Sequence, residues 1–173
     1  MKTLILGGVR SGKSRLAEQL AKQRGLPVTF IATASAQDGE MQARIAAHRA
    51  RRPEQWQLVE EPLRLAGVIG QHAQPGRCLL VDCLTLWLTN LLLAGDETLF
   101  RAQRSALLDG LATAPGEIIL VSNETNMGIV PLGELSRRYC DEAGTLHQEI
   151  ARRCERVILT VAGLPHLLKG ELE

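Results

Sequence analysis

Short runs of apolar residues alternate along the chain with longer segments in which apolar positions recur every three or four residues. The runs at 3–6, 28–32, 78–81, 118–121 and 157–161 are bounded by Gly, Pro or polar clusters and predict strands. The segments 14–24, 41–50, 63–73, 99–112 and 137–153 carry charges between their apolar positions and predict helices. Runs apolar on both faces and joined by helical crossovers predict an α/β fold with a mostly parallel sheet flanked by helices, one domain over residues 1–173. The apolar stretch 78–93 is broken by Asp82, Thr85, Thr89 and Asn90 and falls short of the ~20 residues of a membrane span, so it reads as core.

Composition narrows the function classes. The formal charge of +1 leaves no global field to attract nucleic acid or an anionic membrane, so a polyanion site has to be local. The basic residues are 16 Arg and 4 Lys, and guanidinium suits bidentate grip on phosphate. Cys78, Cys83, Cys140 and Cys154 lack C-x-x-C spacing, which disfavours a zinc site, and with no apolar leader at residues 1–6 the expected setting is the cytoplasm.

In open parallel sheets, ligands bind beyond the carboxyl ends of the strands. After the first predicted strand comes Gly7-Gly8-Val9-Arg10-Ser11-Gly12-Lys13-Ser14, a full match to G-x-x-x-x-G-K-[ST], followed at once by a helical pattern. The glycines let successive N–H groups and the helix N-terminus converge on phosphate oxygens. Lys13 is placed to reach the β- and γ-phosphates, and Ser14 to hold Mg²⁺.

Two further features leave alternatives open. Asp82 closes the apolar run Leu79-Leu80-Val81 and can serve Mg²⁺, cap the helix beginning near Thr85, or accept hydrogen bonds from a guanine base. Residues 41–53 end in His48-Arg49-Ala50-Arg51-Arg52-Pro53, which reads either as a solvated helix end or as a triphosphate clamp around a nucleophile. In the second reading the neighbouring cations keep His48 neutral, and its imidazole attacks phosphorus. His72, His147 and His166 read as structural or solvated, with His166 in a C-terminal tail.

Other pieces lie in order along nearly the whole chain. They are Phe30-Ile31-Ala32-Thr33-Ala34, Trp56, Val81-Asp82-Cys83-Leu84-Thr85-Leu86-Trp87-Leu88-Thr89-Asn90-Leu91, Ser122-Asn123-Glu124, Gly128-Ile129-Val130-Pro131, Asp141-Glu142-Ala143-Gly144 and Val161-Ala162-Gly163-Leu164-Pro165. With the phosphate loop and the His48 cluster, they make the chain resemble the bifunctional adenosylcobinamide kinase/adenosylcobinamide-phosphate guanylyltransferases of cobalamin biosynthesis. The resemblance implies a RecA-like P-loop NTPase fold, often trimeric, acting on adenosylcobinamide and adenosylcobinamide phosphate with GTP and ATP as substrates and Mg²⁺ as cofactor. Neither nucleic acid nor membrane insertion is expected.

Carried over by position, the resemblance implies that Gly7, Gly8, Val9, Arg10, Ser11, Gly12, Lys13 and Ser14 bind the phosphates, and that Thr33, Ala34 and Ser35 line the nucleotide site. It makes His48 the guanylylated residue and gives Arg49, Ala50, Arg51, Arg52, Glu60 and Asp82 nucleotide contacts. The chain departs from the usual pattern at Thr125-Asn126-Met127, Cys140 and His147. Two rival readings are a monofunctional P-loop kinase, in which the arginines form a phosphate lid, and a nucleotide-switched module that holds RNA or a protein. Near-zero net charge and five aromatic residues argue against a nucleic-acid surface.

Overall fold

The computed structural model describes residues 1–34 and 53–171. Seven strands form one sheet: β1 (Lys2–Gly7), β2 (Val28–Ala32), β3 (Gln57–Glu60), β4 (Cys78–Asp82), β5 (Glu117–Asn123), β6 (Arg156–Val161) and β7 (Leu164–Lys169). Their spatial order is β3-β2-β4-β5-β1-β6-β7, parallel throughout except for the antiparallel β6–β7 hairpin at one edge. The helices are α1 (Lys13–Gln23), α2 (Leu65–His72), α3 (Leu84–Leu93), α4 (Glu97–Thr113) and α5 (Glu134–Arg153).

The apolar strands are continuous because both faces are covered. Leu4, Leu6, Ile31, Leu79, Val81, Ile118, Leu120 and Val157 meet residues of α2, α3, α4 and α5. Their alternates Ile5, Val28, Phe30, Cys78, Leu80, Ile119, Val121 and Ile158 meet Ala17, Leu20 and Ala21 of α1, together with Trp56. Helix α4 starts where the Asp96 side chain accepts the Leu99 N–H at 2.9 Å, a side-chain N-cap.

The five predicted strands and four of the five predicted helices are present, and the fifth, at 41–50, lies outside the described residues. The stretch 78–93, read as core with a helix beginning near Thr85, holds β4 and α3, whose buried Trp87 satisfies its indole by donating to the Leu63 carbonyl at 2.8 Å. Two elements correct the sequence reading. The supposed tail around His166 is the edge strand β7. Strand β3 was not expected; it is short and mostly exposed, so its sequence offers no apolar run. Among the described residues no helix is long and apolar enough to cross a membrane.

Candidate active site

The phosphate loop joins β1 to α1 and is held in an unusual path. Arg10 and Gly12 both take positive φ, 55° and 98°, and Gly12 is the N-cap of α1. A Cβ at Gly7 would stand 2.6 Å from the Thr160 carbonyl, so only glycine fits between the loop and β6. The Ser11 N–H donates to the Gly8 carbonyl at 3.2 Å, closing the curl. Lys13 is buried, and its Nζ donates to the Gly8 carbonyl at 3.0 Å, spanning the mouth of the loop. Burial pulls the Lys13 pKa down, while the charges of Asp82 and Cys83 push it up.

Asp82 therefore acts on Lys13 across the intervening strand β5. It does not cap α3, whose N-cap is Cys83 with no side-chain cap bond. In the sheet register Ala32 pairs with Asp82 on one side and with Glu60 on the other, so both carboxylates stand at the same level of the carboxyl edge. Cys83 is buried deeply enough to push its thiol pKa to about 11.

Thr33 is fully buried, and its hydroxyl is committed to the scaffold. It donates to the Cys83 carbonyl at 2.6 Å and accepts the Cys83 N–H at 2.9 Å. The Thr33 carbonyl accepts from Asn90 Nδ2 at 2.9 Å. This knot fixes the end of β2 against the end of β4, and with it the position of Asp82.

One edge thus gathers Gly7, Gly8, Val9, Arg10, Ser11, Gly12, Lys13, Ser14, Thr33, Ala34, Glu60 and Asp82. Ser35, His48, Arg49, Ala50, Arg51 and Arg52 lie outside the described residues. Ser14 and Asp82 offer the hard oxygen donors that suit Mg²⁺. Among the described residues no three His, Cys, Asp or Glu side chains converge as a metal cluster. A Mg²⁺ that keeps its waters and binds through substrate phosphates takes only one or two protein oxygens, so the donor set fits.

Sequence reasoning named Ser122-Asn123-Glu124 at the end of β5 but missed the bonds that tie it to Thr85 and His147. Asn123 pairs with Gly7 in the register, and the Glu124 N–H donates to the Gly7 carbonyl at 2.9 Å. The Asn123 N–H donates to Thr85 Oγ1 at 2.7 Å, Thr85 Oγ1 lies 3.4 Å from Ser122 Oγ, and Ser122 Oγ lies 2.8 Å from His147 Nε2. The departures at Asn126 and Cys140 meet each other: Asn126 Nδ2 donates to the Cys140 carbonyl at 3.1 Å. A Cβ at Gly144 would come within 2.7 Å of that same Nδ2, so the glycine one turn on makes room for the amide.

Comparison with known proteins agrees with this geometry. The family model described as cobinamide kinase / cobinamide phosphate guanyltransferase matches residues 3–168. The chain is 67% identical to the bifunctional adenosylcobalamin biosynthesis protein CobP of Pseudomonas aeruginosa, covering 99% of each chain. It is 38% identical to the corresponding protein CobU of Escherichia coli, covering 95% of this chain and 97% of that one. Among solved structures it is similar to the RadB recombinase, with a TM-score of 0.53 at 18% identity, over 91% of this chain and 73% of the other. That likeness shows the RecA-like P-loop fold.

Proposed function

The chain belongs to the cobinamide kinase / cobinamide phosphate guanyltransferase family, and on that premise we propose that one domain carries out both reactions. In the first, the γ-phosphoryl group of a nucleoside triphosphate passes to the aminopropanol hydroxyl of adenosylcobinamide. In the second, GMP passes from GTP to adenosylcobinamide phosphate, giving adenosylcobinamide-GDP. The observation that carries the reading is the phosphate loop with Lys13 buried at its mouth and Asp82 acting on it from β4.

In the kinase step the loop N–H groups and the Lys13 ammonium oppose the negative charge of the transferring group, so catalysis is mainly positioning and electrostatics. Ser14 and Asp82 would hold a Mg²⁺, which would further neutralise the phosphate oxygens when bound. In the guanylyl step His48 acts as nucleophile. Its ring nitrogen forms a P–N bond at the α-phosphorus as the bond to the β-phosphate breaks and pyrophosphate departs with the electron pair. A phosphate oxygen of adenosylcobinamide phosphate then attacks the same phosphorus and restores free His48. Arg49, Arg51 and Arg52 steady the triphosphate, and Glu60 contacts the nucleotide.

The loop after β5 supports a bulky, partly apolar acceptor at this edge, since Ile129 and Leu132 are each 97% exposed there. The family resemblance also favours a homo-oligomer, often a trimer, in the cytoplasm. Intact-protein mass after incubation with GTP and Mg²⁺ tests the reading, with His48→Ala and ATP as controls. A GMP-sized, acid-labile and base-stable increment on wild type alone is expected. No increment in protein that binds GTP would overturn the covalent step and leave a monofunctional kinase.

A further inference from the structure

His147 sits on α5, remote in sequence from every nucleotide motif, yet it is buried at 7% exposure against the end of β5. Its Nε2 is bonded to Ser122 Oγ at 2.8 Å, and its Nδ1 is buried with no hydrogen-bond partner. An imidazole held this way spends desolvation on a single bond, which is a poor arrangement for stability alone. What the bond reaches is informative. Ser122, itself 1% exposed, adjoins Thr85 Oγ1, and Thr85 Oγ1 takes the N–H of Asn123. Asn123 is the last residue of β5, level with Gly7, and the next N–H is bound to the Gly7 carbonyl.

The segment Asn123–Glu124 is therefore pinned from both sides, by the phosphate loop and by a three-side-chain relay ending in His147. Its location beside β1 puts it on the wall that a terminal phosphate faces as it leaves the loop. We propose that His147 is a positioning residue: through Ser122 and Thr85 it sets the Asn123–Glu124 backbone so that this segment distinguishes a nucleoside triphosphate from a diphosphate. The proposal rests on the reading of the phosphate loop as a nucleotide site. His147 itself touches no substrate.

The relay needs a polar atom where His147 Nε2 lies, and a glutamine amide can reach that point while leucine cannot bond there. The test compares Mg²⁺ complexes of GDP and of the β,γ-imido analogue of GTP by calorimetry, with ADP and the ATP analogue alongside. Wild type is expected to favour the triphosphate analogues. His147→Leu should lose about tenfold of that preference, the worth of one neutral hydrogen bond, with diphosphate affinity unchanged. His147→Gln should keep it. Ser122→Ala, which cuts the same relay with little change of volume, should match His147→Leu and guards against a leucine variant that fails to fold.

An unchanged preference in folded His147→Leu and Ser122→Ala would overturn the relay while leaving the nucleotide site intact. Equal loss of diphosphate and triphosphate binding in both would reduce His147 to a structural residue. Wild type that binds none of the four nucleotides would overturn the nucleotide reading, and the relay's role with it.

Discussion

The backbone N–H of Gly163 donates to the Ser11 carbonyl at 2.8 Å, fastening the turn of the β6–β7 hairpin to the phosphate loop. Ala162 and Gly163 both take positive φ, 51° and 80°, the conformation of a tight two-residue hairpin turn. A Cβ at Gly12 would stand 3.1 Å from Gly163 Cα, so loop and turn are in close backbone contact. The hairpin at the sheet edge is thus a buttress for the nucleotide site.

Gly163→Val should weaken nucleotide binding although the residue lies outside the loop. Holding a β-branched side chain at that φ costs about 1–2 kcal/mol, which corresponds to roughly a tenfold loss of affinity if the loop relaxes to relieve it. Titration calorimetry beside a melting curve decides: a lowered Tm with full affinity would mean that the hairpin serves the sheet alone.

Thr33→Val should destabilise the protein by about 2–3 kcal/mol, since an isosteric methyl leaves the Cys83 N–H and carbonyl without their buried partner. Urea unfolding measures the loss. Activity should fall as well, because the same bonds hold β4 where Asp82 reaches Lys13. Stability within 0.5 kcal/mol of wild type, roughly the scatter of a neutral surface change, would contradict the knot.

Asp82→Asn removes the negative charge that holds the Lys13 pKa up against burial. The Lys13 pKa then falls further, and the ammonium loses its proton at a lower pH. The alkaline limb of the kinase pH profile should shift to lower pH, with kcat at neutral pH down by about 10²–10³-fold. A limb that stays in place would show that Asp82 exerts no field on the lysine.

Acidification should cost stability through His147. Burial lowers its pKa below 6.5, with the Glu124 charge pushing the other way, so the unfolded chain binds the proton more readily than the folded one. Stability is full above the unfolded value of 6.5 and is lost as pH falls from there through the depressed folded value. Melting temperature measured across that window in wild type and His147→Gln checks this, and the variant should show the shallower slope.

How far the site can be read from the sequence varies by element. Lys13 and Gly12 sit in a contiguous motif with a backbone purpose, and β2 falls at Val28–Ala32 as its apolar run requires. Helix α3 shows its start near Thr85 but little of its period: Leu84, Trp87, Leu88 and Leu91 share the buried face, while Leu86 and Leu93 on the opposite side blur the polar stripe of Thr85, Thr89 and Asn90. Strand β7 hid because all six of its residues are exposed and Pro165 interrupts the run, as edge strands tolerate. The Ser122–His147 bond joins positions 25 apart on different elements, and the Gly163–Ser11 bond is longer-range still. Neither has a local signature, since each exists only once the strand order is set.

That strand order also bears on how the molecule is made. The first strand to leave the ribosome is second from neither edge but deep in the sheet, and its neighbours β5 and β6 come late: 115 positions separate Met1 from its partner Gly116, and 153 separate Thr3 from Arg156. At roughly 5–20 residues per second, Leu4-Ile5-Leu6 must wait on the order of 6–30 s for the chain that covers it. Through that interval the strand that will carry the phosphate loop is an apolar segment without its sheet partners. Refolding from denaturant should therefore lose yield as protein concentration rises, since unpaired apolar strands of different chains can then meet.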